Sequence, residues 1–161
     1  QVRAQGLDLG WVYGLMRQES RFVIPARSSV GSRGLMQVMP ATGKWVANRI
    51  GLPGYHDGLL NDPDTNVLLG TSYMRIIMED LDTHPVLASA GYNAGPGRAK
   101  RWRDLQPLEG AIYTETIPFD ETRDYVKKVL ANAVIYSAML EKRPQSLKAR
   151  LGTIAPAPAS E

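Results

Sequence analysis

The chain contains no cysteine, which excludes a disulfide framework, a thiolate nucleophile and a cysteine-ligated metal. Histidine is nearly as scarce. His56 and His84 stand far apart and neither has a second ligand at helical spacing, so neither a metal nor a cofactor is expected. No apolar run approaches the roughly 20 residues a membrane-spanning helix needs. Alternating apolar and polar runs, the mark of half-buried strands, are almost missing, and there is no internal repeat. Charge of one sign is not in large excess either: 19 Lys and Arg against 16 Asp and Glu leave +3. Only Arg98, Lys100, Arg101 and Arg103 cluster, which reads as a solvated face and not as a nucleic-acid footprint. The sequence opens at Gln1 without methionine, basic leader or apolar signal core, and is read as a mature or excised fragment.

What is present is ordinary globular composition, 43% hydrophobic and 22% charged over 161 residues, enough for one domain with its own core. Helical stripes dominate, so the fold class is mainly α. Residues 1–7 read as the end of a preceding segment. Asp8 is placed to cap a helix running to about Arg21, with Trp11, Val12, Leu15 and Met16 on one face, Glu19 continuing that face and Phe22 extending it. Pro25 forbids continuation, and the glycine-punctuated stretch to Pro40 reads as loop with at most a short hairpin. A second helix over 41–50 presents Trp45, Val46 and Ile50 and stops at Gly51.

Asp62 followed by Pro63 is a strong helix start, and Val67, Gly70, Tyr73, Met74, Ile77, Met78 and Leu81 form the stripe behind it, with Gly70 admitting a close helix contact. Thr83-His84-Pro85 opens another helix that ends in the Asn93–Gly97 turn. Residues 98–116 are mixed, with Trp102, Leu105 and Tyr113 as core anchors. From Glu121, Val126, Val129, Leu130, Ala133, Ser137 and Leu140 describe about five turns closed by Pro144. The domain is placed at 8–151, and the Ala/Pro-rich residues 152–161 have the composition of an extended, solvated tail.

Glu19 is the residue on which function turns. A carboxyl on an apolar helix face is penalised when ionised, so its pKa rises and it holds a proton near neutrality, as a general acid must. Periodicity alone leaves open the plainer alternative, a helix-end acid turned to water or paired with Arg17 or Arg21. Glycosidases normally set a second carboxylate opposite the first. Asp57, Asp62 and Asp64 are the choices, and all three are better explained as cap, first-turn or loop acids. Gln37 lies in an apolar Leu-Met-Gln-Val context and needs a partner, either backbone or a sugar amide.

Four segments occur in order: Glu19-Ser20, Gly34-Leu35-Met36-Gln37, Tyr92-Asn93-Ala94-Gly95, and Ile117 to Val126. Together, across about residues 8–143, they resemble the catalytic domain of the soluble lytic transglycosylases, goose-lysozyme-like enzymes of bacterial peptidoglycan. Gly91 stands where that family usually has Ala or Ser. The resemblance implies a lysozyme-like domain with at most a small β-hairpin beside the cleft, and periplasmic cleavage of the bond between N-acetylmuramic acid and N-acetylglucosamine. It implies that Glu19 performs both proton transfers and that the product is a 1,6-anhydro sugar. It also marks Ser28, Gln37, Met39, Tyr92, Asn93 and Glu115 as substrate-binding, with Arg123 and Tyr125 bracing or binding. Peptidoglycan glycan strands are the expected partner, together with other cell-wall enzymes. A goose-type hydrolase and a non-catalytic peptidoglycan-binding module are the rival readings.

Overall fold

A computed structural model describes residues 2–159. The elements are α1 (Leu9–Ser20), α2 (Pro40–Ile50), a 3₁₀ turn (Asp57–Asn61), α3 (Pro63–Asp80), α4 (Pro85–Ala94), α5 (Pro96–Arg101), β1 (Leu108–Glu109), α6 (Gly110–Thr116), α7 (Asp120–Glu141), α8 (Leu147–Leu151) and β2 (Thr153–Ile154). The protein is mainly α, as the stripes require. Among the described residues no helix is long and apolar enough to cross a membrane.

The caps explain the helix boundaries. Asp8 accepts a hydrogen bond from the Trp11 N–H at 2.7 Å, and Asp62 accepts from the Thr65 N–H and hydroxyl at 2.9 and 2.7 Å. The His84 Nδ1 accepts from Val86 N–H at the start of α4, where Pro85 is the first helical residue. The α1 helix stops because Arg21 and Phe22 both turn left-handed, with φ of 53° and 63°. The Ser20 hydroxyl accepts the Phe22 N–H there, satisfying one donor of the turn.

One packing contact positions the site more than any other. α1 lies along α7 so closely that a Cβ at Gly10 would fall 2.0 Å from Ser137 Oγ, and one at Gly14 would fall 2.7 Å from the backbone of Val129 and Ala133. Only glycine fits at these two places. The approach brings the C-terminal end of α1, which carries Glu19, against the first turns of α7. Trp11, fully buried, ties α1 to α4 by donating its Nε1 proton to Ser89 Oγ at 3.0 Å. Val12, Leu15, Leu87, Val126, Val129 and Leu130 complete this part of the core.

Several expectations are corrected. Phe22 does not extend the buried face of α1: its left-handed backbone carries it outside the helix, where it is 40% exposed and packs edge-on to Tyr13 and Tyr136. Trp45 is 46% exposed, and Leu105, at 85%, anchors nothing. Leu140 is also exposed, because α7 runs on past the core it packs against. Gly70 admits the Met36 side chain of the loop, not a helix: a Cβ there would sit 2.5 Å from Met36 Sδ.

Arg103, expected on a solvated face, has a buried side chain that donates to Asp82 and to the carbonyls of Ala155 and Pro156. These bonds hold residues that composition assigned to a solvated tail, and Ile154 is buried in the core. The two strands are not a hairpin, since β2 pairs antiparallel with β1 from far along the chain. They lie by Gly152, near His84 at the N-terminal end of α4, whereas the site forms at its C-terminal end. Residues 2–7 pack on α3, with Gln5 donating to Ser72 and accepting from Arg75.

Candidate active site

Glu19 sits in the last turn of α1 with Met16 and Leu15 buried behind it. Taken as a whole residue, Glu19 is half-buried. Tyr125, on the facing turn of α7, donates its phenolic proton to Glu19 Oε1 at 2.7 Å. Burial pushes the Glu19 pKa up to about 7, against which the Tyr125 hydrogen bond works, while the charge of Glu121 adds to the rise. Glu121 is one helical turn before Tyr125, so the two share a face of α7.

Tyr92 comes from the C-terminal end of α4. Its hydroxyl donates to the Met36 carbonyl at 2.7 Å, and its pKa is raised well above the ordinary phenol value by burial and then by the charge of Glu19. Tyr125 is raised by the same causes. Glu19, Tyr92 and Tyr125 are therefore one cluster: an acid between two phenols, contributed by α1, α4 and α7. Both phenols therefore keep their protons at neutral pH. Tyr92 is near the acid but its proton is committed to a backbone carbonyl, so the donor that serves Glu19 is Tyr125.

The loop from Ala26 to Met39 forms the adjoining wall, folded by two isolated bridges, Arg27 to Arg33 and Arg33 to Val38. Gln37 commits both amide protons to carbonyls, Ala26 and Gly34, each at 2.9 Å, and its oxygen accepts from Ser32 Oγ at 2.8 Å. It braces the loop, which answers its need for partners with backbone. Ser28 Oγ lies 2.7 Å from Ser32 Oγ and accepts the Ser32 N–H. Since Gln37 Oε1 can only accept, the Ser32 proton goes to it and the Ser28 proton to Ser32. Met39 is 38% exposed at the start of α2.

Asn93 accepts from the Thr122 hydroxyl at 2.7 Å, joining α4 to α7. Glu115 is not brought to Glu19. It pairs with Lys127 in a groove lined by Ala111, Thr114, Leu130 and Leu147, and Lys127 lies two residues beyond Tyr125, on the opposite side of α7. The carboxylate of this region that acts on Glu19 is Glu121. Asp62 is an exposed cap whose pKa is lowered by its hydrogen bonds to Thr65, which removes it as a proton donor. Among the described residues no cluster of three or more His, Cys, Asp or Glu is arranged to hold a metal.

The model of the transglycosylase SLT domain matches residues 2–112, more than two-thirds of the chain, and that of the soluble lytic transglycosylase helical domain matches residues 116–145. The chain belongs to the transglycosylase SLT domain family. It is 37% identical over 142 residues to the soluble lytic murein transglycosylase of Escherichia coli K12, covering 86% of this chain and 22% of that protein. It is 30% identical over 150 residues to membrane-bound lytic murein transglycosylase C of Actinobacillus pleuropneumoniae, covering 80% of this chain and 41% of that protein. Among solved structures, an inactive glutamate-to-glutamine mutant of lytic transglycosylase Slt from Pseudomonas aeruginosa superposes with a TM-score of 0.84 at 43% identity, over 90% of this chain and 24% of that one. The 70 kDa soluble lytic transglycosylase of Escherichia coli gives 0.77 at 36%, over 89% and 23%. The chain thus spans about a fifth of the length of the soluble relatives it matches.

Tyr125, expected either to brace the cleft or to bind glycan, is the residue that hydrogen-bonds Glu19. Replacing Tyr125 by Phe should lower turnover about tenfold, because the carboxylate formed on proton donation loses its fixed hydrogen bond. It should also move the alkaline limb of activity to higher pH, since that bond lowers the Glu19 pKa. A limb that moves to lower pH would contradict this assignment.

Proposed function

We propose that this chain is the catalytic domain of a lytic transglycosylase that cleaves the β-1,4 bond between N-acetylmuramic acid and N-acetylglucosamine of peptidoglycan, in the periplasm. The observation that carries it is the setting of Glu19: a carboxyl that burial lifts to a pKa of about 7, hydrogen-bonded by the Tyr125 phenol. The names of the family's relatives, lytic murein transglycosylases, support the reaction class. A 70 kDa soluble lytic transglycosylase, 36% identical to this chain, has also been solved in complex with bulgecin A, and a compound of that kind should seat here.

The step follows from the residues. With Tyr125 occupying Oε1, the proton of Glu19 resides on Oε2 and passes to the glycosidic oxygen as its bond to C1 of the muramoyl residue breaks. The Glu19 carboxylate, steadied by Tyr125, then takes the proton of the muramoyl C6 hydroxyl as O6 bonds to C1. Glu19 ends protonated as it began, no water is consumed, and the new end is a 1,6-anhydro ring. The single acid suffices because it returns to its starting state, with the substrate's N-acetyl group supporting the charge at C1.

Clearing of purified cell walls tests the reading. The acid must start protonated, and its pKa is raised, so activity should be full on the acid side and fall as pH rises through about 7. A profile flat to pH 9, or absence of clearing at any pH, would count against it.

A further inference from the structure

Tyr92 is also the inner end of an aromatic wall. Its ring is 5.3 Å from that of Tyr73, and Tyr73 meets Trp45 edge-on at 6.3 Å. The wall leads away from Glu19 into a groove of about 300 Å³ lined by Ala41, Thr42, Trp45, Tyr73 and Pro96, which continues past Arg49 toward Glu79 and Asp80. Trp45 leaves nearly half its surface in water, although α2 has a buried face that Val46 and Ala47 occupy. Arg49, one turn on, stacks its guanidinium 5.3 Å over the indole. That stacking fixes the position of a group that would otherwise sweep freely.

The charges in the groove are unequal in one respect. Asp80 is paired with Lys100 at 2.9 Å and Glu79 with Arg75 at 3.0 Å, whereas Arg49 makes no ion pair or hydrogen bond among the described residues. The groove therefore offers an apolar wall of angled aromatic rings and one oriented fork of donors without a partner among the described residues, matched to a carboxylate. A glycan strand lying over Tyr92 would bring a sugar ring onto the Tyr73 and Trp45 wall a few residues from the cleaved bond, and the acidic peptide branches of peptidoglycan supply carboxylates beside it. Resting on the function proposed above, we infer that Trp45, Tyr73 and Arg49 form a distal subsite that takes a sugar ring against the aromatic wall and a branch-peptide carboxylate on Arg49. The cleft thus holds peptide-bearing glycan in preference to bare glycan.

Binding tests this apart from catalysis. In the Glu19→Gln protein, calorimetry would compare soluble peptide-bearing glycan fragments with the same fragments stripped of peptide by an amidase. Adding Trp45→Ala should weaken both about tenfold and Trp45→Phe should restore most of it; Arg49→Gln should weaken only the peptide-bearing fragments, about fivefold. Both side chains are exposed, so thermal stability should not move. Affinities within twofold of the parent, an equal loss on both ligands for Arg49→Gln, or a parent that binds neither ligand would overturn the subsite. Cell-wall clearing by the unaltered chain is scored separately: binding of this pattern without clearing strikes the proposed reaction and keeps the subsite, while clearing with unmoved affinities strikes the subsite alone.

Discussion

Glu19→Gln should lower cell-wall clearing by at least about a thousandfold while making the folded protein more stable above neutral pH. The amide keeps the shape of the carboxyl and can still accept the Tyr125 hydroxyl proton, but it has no proton to give. The stability effect follows from the same burial. The folded pKa of about 7 lies above the model value of 4.5, so the folded state holds a proton that the unfolded state has released between those values. Stability from this group is complete below about pH 4.5 and is lost as pH rises through 7, reaching about 3 kcal/mol at most. The variant escapes that loss. Its Tm should equal that of the parent at pH 4 and exceed it by about 5 to 10 °C at pH 8, which calorimetry reads directly. Asp57→Asn, by contrast, should leave clearing nearly unchanged. A Glu19→Gln protein that clears walls within tenfold of the parent, or one with no gain in Tm at pH 8, would mean that Glu19 is a plain surface acid.

Asn66→Ala should destabilise the fold by about 3 to 5 kcal/mol and lower activity with it. Asn66 is fully buried, accepts from the Met36 N–H at 2.9 Å, and donates to the carbonyls of Arg33 and Leu60 at 2.8 and 3.0 Å. Alanine would orphan the Met36 N–H and the Leu60 carbonyl, both buried, each costing about 1 to 3 kcal/mol with some relief by relaxation, while the Arg33 carbonyl keeps the Val38 N–H as its donor. The Met36 carbonyl is the acceptor of the Tyr92 hydroxyl, so slack at Met36 passes to the phenol beside Glu19. Urea unfolding measures the first effect and turnover of the folded fraction the second. A loss below about 1 kcal/mol would show that the loop is held elsewhere.

The helices were legible where a local signal ends them: the Asp8 and Asp62 caps, Pro63, Pro85 and Gly51 act within a turn of their own position. Glu19 was legible as inward because Leu15 and Met16 fix the face it shares. What joins the site across the chain was not. Nothing local shows that Gly10 and Gly14 let α7 approach, and Tyr125 becomes the partner of Glu19 only through that approach, with over a hundred residues between them. Asn66 reads as one more polar residue in a helix, since its value lies in a loop thirty residues away. Phe22 and Trp45 misled for a single reason: periodicity assumes that helical backbone continues and that an apolar side chain on it faces the core. A left-handed residue breaks the first assumption and an exposed aromatic wall the second. Gln37 could be settled only by counting its donors, both of which the backbone takes.

The most direct test of the account is the fate of water at the cleaved bond. Purified peptidoglycan would be digested by the unaltered chain in water enriched in oxygen-18, and the released fragments weighed by mass spectrometry. A single acid that shuttles the C6 hydroxyl proton predicts muramoyl ends 18 mass units lighter than free reducing ends, carrying no heavy oxygen. Reducing ends that carry oxygen-18 from the first turnover would show that Glu19 activates water, and the chain would be a hydrolase.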